Sequence, residues 1–379
     1  MKLRRTSVFA ISLLLVVSSL QIGYAQAVKT AVATGKLVEL KVPSPALKGN
    51  LLGDPVEQMV DVYLPPSYET SPAKRYPTIY LLHGYSGGIK DWTDGYQGMG
   101  IRQMMDELIK SSTIREMIVV VPNGANAYLG SFYTNSVVTG NWEDYIYRDL
   151  VAYIDSHYRT IARPESRGIA GHSMGGYGSV VMGMKHPDVF SAVYALSPCC
   201  LGMEGDISGE NPTWSKIVAL TSKDQLGSDI ASFDDFWKIV GVALSASFSP
   251  DKDRLPFYVD FPFKQQNGKL VPNEPAYSLW RSKMPLYMVD EYKQNLLKLR
   301  GLYIDVGQKD EFSHIRITTP LFSKALSDKD IPHGFEIYAG GTHNSKIRER
   351  MENHVLEFFS HVLDASDVKG PGTSGLGRN

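Results

Sequence analysis

Cysteine is nearly absent. The chain has 379 residues and two cysteines, Cys199 and Cys200, which are adjacent. Neighbours rarely bridge, because the ring they would close is strained. No disulfide framework can therefore hold this fold, and the pair reads as two small buried side chains at a strand end. Metal-binding spacings are missing as well: there is no CxxC, HExxH or HxH, so no metal is expected. Neither sign of charge dominates, with 39 Lys+Arg against 40 Asp+Glu. That balance excludes the electrostatic grip of a nucleic-acid binder or a basic membrane-surface protein. Internal repeats are lacking, and only one long apolar run is found. Hydrophobic residues, at 43%, are ample for a large core.

The apolar run lies at the start. Lys2, Arg4 and Arg5 precede Val8–Leu20, and small residues follow at Gly23, Ala25 and Ala27. This is the pattern of a signal peptide over residues 1–27, cut near Ala25 or Ala27. The run is short for a bilayer span, and an uncleaved anchor is the alternative. A secreted or periplasmic protein without a stable membrane anchor is expected. Residues 366–379 are rich in Gly, Ser and Pro with little to bury, which predicts a disordered tail.

Between these ends the chain alternates strand-like and helix-like segments. Lys36–Val42 and Glu57–Leu64 read as early strands. "TIYLLHG", "EMIVVVPNG", "RGIAGHS", "FSAVYALSP", "RGLYIDVG" and "GFEIYAG" read as later ones. Several are continuous apolar runs, as expected of strands buried on both faces. Helices are expected over Gly100–Lys110, Trp142–Tyr158, Gly175–His186 and Ile347–Leu363. The rhythm implies a single α/β domain over residues 28–365, with a mostly parallel central sheet and helices on both faces. Residues 201–296 break it with aromatic, proline-rich loops and helical pieces. They read as a cap-like insertion over the strand ends.

In "RGIAGHSMGGYGSV" the glycines serve geometry, because no amphipathic period explains them. Strand, then Gly171-His172-Ser173-Met174-Gly175, then helix is the G-x-S-x-G nucleophile elbow in its expected setting. The turn is too tight for side chains at Gly171 and Gly175, and it lifts Ser173 above the sheet. The Met174 N–H then faces the place where an oxyanion would form, at a favourable helix start. A serine hydroxyl needs a base, and the base needs an acid to fix its tautomer. In this architecture the chain order is Ser, acid, His. Asp310 follows a late strand and is the expected acid, with Glu311 next; Asp305 lies inside the strand. His343 follows the last strand and is the expected base. His333 sits at the wrong end of that strand, His314 is too early, and His172 is read as packing beneath the turn. The second oxyanion donor should come from the loop Tyr85-Ser86-Gly87-Gly88, best from the Tyr85 N–H.

With these residues in place, the chain resembles the esterase D-like α/β hydrolases, also called the Putative esterase family. That family includes S-formylglutathione hydrolases, feruloyl esterases and mycolyltransferases. The resemblance runs from about Val38 to Leu363. It rests on "VYLPPSYE", "RYPTIYLLHGYSGG", Asp91-Trp92, "SFYTNS", "WEDYI", "GIAGHSMGGYGS", "ALSP" and "GGTH". It implies the α/β-hydrolase fold and the same triad, Ser173, Asp310 and His343. It also implies Tyr85 and Met174 as backbone oxyanion donors, and no cofactor. The departure is the 201–296 interval, longer than in compact members.

The expected function is an exported serine carboxylesterase acting on a small-molecule or carbohydrate-linked acyl or hydroxycinnamoyl ester. An acyltransferase passing the acyl group to an alcohol or sugar is the nearest alternative. A non-catalytic binding module on the same scaffold is a second, but no triad member is missing. Trp92, Trp142, Trp280 and the aromatics of "SFYTNS" are candidates to line a substrate pocket, each with core packing as its competing role.

Overall fold

The computed structural model describes residues 34–96, 100–226 and 232–366. The expected signal peptide over 1–27, and the tail from 367 onward, lie outside the described residues.

Eight strands form the main sheet: β1 Lys36–Pro43, β2 Glu57–Leu64, β3 Thr78–Leu82, β4 Ile118–Pro122, β5 Arg167–His172, β6 Ala192–Leu196, β7 Gly301–Gly307 and β8 Gly334–Tyr338. Their spatial order is β1-β2-β4-β3-β5-β6-β7-β8. The β1–β2 and β2–β4 pairs are antiparallel. From β4 to β8 every neighbouring pair is parallel.

Side chains alternate across a strand. Tyr80 and Leu82 of β3 enter one core, and Ile79 and Leu81 enter the other. Ile118 and Val120 of β4 join the first core, Val119 and Val121 the second. A strand buried on both sides cannot show a polar face, and this is why these segments read as unbroken apolar runs.

Helices cover both faces. On one lie α1 (Ile101–Lys110), through Met104 and Met105, and the carboxyl-terminal helices, through Met351, Val355 and Phe359. On the other lie α2 (Val151–His157), through Ile154, and α3 (Met174–Lys185), through Val180 and Val181. The helical run into α2 begins at Trp142 and widens to π-type turns over Tyr145–Leu150.

The 201–296 interval carries α4 (Phe233–Phe248), α5 (Pro285–Leu296), shorter helices at Thr213–Ile217 and Ala276–Arg281, and the small hairpin Phe263–Gln266 with Lys269–Pro272. Ser232 caps α4 by accepting the Asp235 N–H at 3.1 Å. α6 (Ser313–Ser327) links β7 to β8, and α7 (Leu356–Val362) closes the fold. Among the described residues no helix is long and apolar enough to cross a membrane.

Candidate active site

Parallel strands aim their carboxyl ends at one edge of the sheet, where open α/β sheets bind ligands. Ser173 follows β5, the Gly84–Ser86 loop follows β3, Cys199 lies past β6, Asp310 past β7 and His343 past β8. Residues more than 250 positions apart in sequence thus come to one edge.

Ser173 sits between β5 and α3 at φ 58°, ψ −114°. A non-glycine residue held there stores roughly 1–3 kcal/mol of strain, which the surrounding packing must maintain. The neighbours explain how. A Cβ on Gly171 would run into the Gly175 carbonyl, and one on Gly175 into the Leu82 carbonyl. The Ser173 N–H donates to the Leu196 carbonyl at 2.9 Å, and its carbonyl accepts the Cys199 N–H at 3.1 Å. Strands β3 and β6 therefore clamp the turn from both sides.

His343 is buried, at 6% exposure, and its Nδ1 lies 2.7 Å from Asp310 Oδ2. A carboxylate only accepts, so Nδ1 carries the proton and Nε2 is left to take another. The other Asp310 oxygen, Oδ1, accepts the Phe312 N–H at 3.0 Å, which fixes the carboxylate plane. Glu311 is employed differently: its Oε2 accepts the His343 backbone N–H at 2.8 Å. The imidazole packs between Phe312 and His172, with ring centres 4.8 and 4.5 Å away. Among the described residues no hydrogen bond joins Ser173 Oγ to His343, although both line one cleft. Such contacts often tighten only when substrate is bound.

His172 lies closer to this centre than its place beneath the turn suggested. It lines the cleft, and its Nε2 is 2.9 Å from the His343 carbonyl. Burial, and then the neighbouring His343, push its pKa well below the usual histidine range. A neutral imidazole with Nε2–H donating to that carbonyl fits this environment.

The loop after β3 is anchored by His83, a residue that strand patterning alone leaves unassigned. Its Nε2 accepts the Gly124 N–H at 2.8 Å, so Nδ1 carries the proton and donates to the Gly84 carbonyl at 2.8 Å. Tyr133 Oη holds the His83 carbonyl at 3.0 Å. Gly84 lies over the elbow: a Cβ there would be 3.6 Å from Ser173 Cβ. Tyr85 lines the same cleft as Ser173, while its side chain stacks on Phe132 and donates to the Tyr128 carbonyl at 2.8 Å. Met174 is the first residue of α3, so its N–H has no intrahelical partner.

Ser173 borders two spaces. One is a cleft with Gly84, Tyr85, Asp91, His172 and His343 in its walls. The other is a small, mostly apolar cavity. Phe236, Val240 and Leu244 of α4 recur every four residues and so present one helix face to this cavity, joined by Trp237, Phe132 and Phe312. The insertion therefore contributes directly to the surroundings of Ser173.

Two expected pocket residues are corrected here. Trp92 is buried against Tyr96 and α1, and Trp142 is fully buried on Tyr145 with its indole N–H on the Thr139 carbonyl. Neither lines the spaces beside Ser173. Trp280 is likewise core, donating to Ser249 Oγ. Spacing along the chain cannot separate a large aromatic in the core from one in a pocket. Of the "SFYTNS" aromatics, Phe132 reaches the cavity.

The expectation of no metal-binding set is also revised. Cys199 and Cys200 are both free and buried, and the fold brings His314 to them. His314 Nδ1 lies 2.5 Å from Asp206 Oδ1. Burial raises the Cys199 thiol pKa, but the Cys200 thiol and His314 outweigh it and bring the value down to about 7. Burial lowers that of His314, but Asp206 and Cys199 outweigh it and raise the value to about 9.

The family model described as Putative esterase matches residues 55–365. The chain belongs to the Putative esterase family. Among curated proteins of this kind, Esterase Rv1288 of Mycobacterium tuberculosis is 32% identical over 142 residues, covering 36% of this chain and 28% of that protein. An endo-1,4-beta-xylanase/feruloyl esterase of Xylanibacter ruminicola is 29% identical over 137 residues, covering 35% and 18% respectively. The matched stretch is thus less than a third of either relative's length. Among solved structures, a ferulic acid esterase superposes with a TM-score of 0.60 at 21% identity, covering 87% of this chain and 99% of that one. An S-formylglutathione hydrolase from Agrobacterium tumefaciens gives 0.57 at 19%, covering 88% and 97%. At that identity the likeness speaks for the fold, which is that of an α/β hydrolase.

Proposed function

We propose that this member of the Putative esterase family is a serine carboxylesterase. The observation that carries the reading is the His343–Asp310 contact at 2.7 Å in a cleft shared with the strained Ser173. Ser173 Oγ attacks the ester carbonyl carbon and its proton passes to His343 Nε2. The carbonyl oxygen becomes an oxyanion, held by the Tyr85 and Met174 N–H groups. Collapse of this intermediate breaks the carbon–oxygen ester bond, and His343 returns the proton to the departing alkoxide. Water then adds to the acyl-enzyme with His343 again as base, which releases the acid and restores Ser173. Asp310 keeps Nδ1 protonated throughout and stabilises the imidazolium.

The apolar cavity receives the acyl group, and the more polar cleft receives the alcohol. An acyl or hydroxycinnamoyl ester on a carbohydrate fits this division, and the feruloyl esterase relatives support it. Residues 201–296 serve as a cap that selects substrates through the α4 face. Export through residues 1–27 remains the reading of the amino-terminal sequence, and an extracellular ester substrate suits it.

Hydrolysis of p-nitrophenyl acetate by the purified protein tests the proposal. Ser173→Ala should lower kcat by roughly four to six orders of magnitude while leaving the circular dichroism spectrum unchanged. A folded Ser173→Ala protein with ordinary activity would end this reading.

A further inference from the structure

The cysteine–histidine group in the cavity wall takes no part in the acyl-transfer scheme. Cys199 Sγ, Cys200 Sγ and a ring nitrogen of His314 all lie within 4.8 Å of one another. The three residues are at most 6% exposed, yet all three line the apolar cavity beside Ser173. His314 Nε2 is buried, and among the described residues the Cys199 thiol is the group that meets it. A buried ring nitrogen met only by sulfur is poorly satisfied and calls for a reason. The other ring nitrogen, Nδ1, meets the Asp206 carboxylate. Asp206 is itself fixed, with Oδ2 accepting the Ser313 N–H and Oδ1 the His314 N–H, each at 2.9 Å. A carboxylate behind an imidazole whose far nitrogen faces thiols is the arrangement that orients a histidine for a metal ion and raises its basicity.

We propose that Cys199, Cys200 and His314 form a site for one thiophilic divalent ion of the zinc–cadmium class, with Asp206 as the carboxylate behind the imidazole. Two thiolates and one imidazole suit such an ion, whereas magnesium or calcium would demand oxygen ligands. Three protein ligands leave one tetrahedral position for water or another oxygen ligand. Binding releases the thiol protons and any proton on Nε2 as the metal bonds form, with no change of oxidation state. The sulfurs now stand 2.8 Å apart. Around a tetrahedral ion with metal–sulfur bonds of about 2.3 Å they would separate to roughly 3.8 Å. The pair must therefore open by side-chain rotation as the ion enters from the cavity. The ring closed through a metal has one more atom than the ring of a direct bridge, so it relieves the strain that disfavours bridging of neighbours.

If the cavity holds the acyl group, a reading this consequence rests on, the ion obstructs it. The site is then inhibitory. Metal removal should leave hydrolysis undiminished.

The test uses the full chain, reduced with a phosphine and freed of it, and titrated with cadmium. One ion should bind per chain, with a sulfur-to-cadmium charge-transfer absorption, and both thiols should become protected from a thiol reagent. Cys199→Ser and Cys200→Ser should each weaken binding at least about tenfold, and Asp206→Asn by roughly 10- to 100-fold. The serine replacements are nearly isosteric and keep the fold testable. Zinc should slow hydrolysis in the wild type by a larger factor than in either serine variant, each compared with its own zinc-free rate. The absorption and thiol protection do not depend on hydrolysis, so they stand or fall apart from the esterase reading. No charge-transfer band, thiols equally reactive with and without cadmium, or serine variants that bind as tightly as the wild type would overturn the site.

Discussion

At Asp310 and Glu311, two adjacent carboxylates face one histidine and hold different parts of it. Asp310 holds the imidazole Nδ1, and Glu311 holds the backbone N–H. Replacing each should therefore give different results. Asp310→Asn puts an amide where an acceptor is needed and favours the wrong tautomer, so kcat should fall by roughly four orders of magnitude. Glu311→Gln keeps an oxygen that can accept the backbone N–H, so its loss should be far smaller. Steady-state kinetics on a short ester decides, and a dead Glu311→Gln beside a near-normal Asp310→Asn would reverse the assignment. His83 offers a subtler case. It touches no substrate but fixes the loop that carries the Tyr85 N–H. Losing an oxyanion donor outright costs roughly 10²–10³ in kcat, so loosening one through His83→Ala should cost about tenfold or more, with KM less affected. Equal losses in kcat and folded fraction would mean that the residue only stabilises.

The buried histidines also set a pH response. Burial lowers the pKa of His83 and, further, of His172 below the ordinary histidine value of about 6.5. The unfolded chain takes up protons at both positions as pH falls through about 6.5, and the folded chain resists. Stability should therefore fall as pH drops below that value. His314 has the opposite sign. Its pKa is raised to about 9, so its contribution is complete below 6.5 and fades only as pH rises toward and through 9. Denaturant titrations at pH 7 and pH 5 should show the loss, and His172→Asn should flatten it. An unchanged slope in that variant would assign the response elsewhere.

Among the elements, the strands were the most legible. β2 has the bounds that its sequence suggested, and every residue from Val60 to Leu64 is buried. Chain order along the sheet then placed Ser173, Asp310 and His343 at one edge. The insertion was legible only as a break in rhythm. Its α4 face toward the cavity depends on how the helix is rotated against the sheet, and no local pattern fixes that. The Trp92 and Trp142 misplacements and the gathering of Cys199, Cys200 and His314 have the same origin. Each is set by tertiary packing and not by the local pattern, and residues 199 and 314 share no sequence motif. If the α4 face selects the acyl group, Val240→Trp should cut the rate on long or bulky esters strongly and on acetate far less. The same ranking of esters in wild type and variant would remove α4 from substrate choice. Elsewhere, the last helices are tied to β7 by Arg350, buried and 2.9 Å from Asp305 Oδ2. Arg350→Met leaves that carboxylate buried with the Tyr194 hydroxyl but no cation, and should cost about 3–5 kcal/mol. The activity per folded molecule should be unchanged.

In the whole molecule one fold brings one strained serine to the meeting point of two spaces. The proposed esterase needs Ser173, and no other serine, as its activated nucleophile. A fluorophosphonate reports this directly, because it phosphonylates a serine only where a base and an oxyanion hole act on it. The purified full chain should take up one equivalent, losing p-nitrophenyl acetate hydrolysis in step, and peptide mass spectrometry should place the adduct on Ser173. An adduct on a different serine, or an active protein that takes up no label, would rule Ser173 out as the nucleophile.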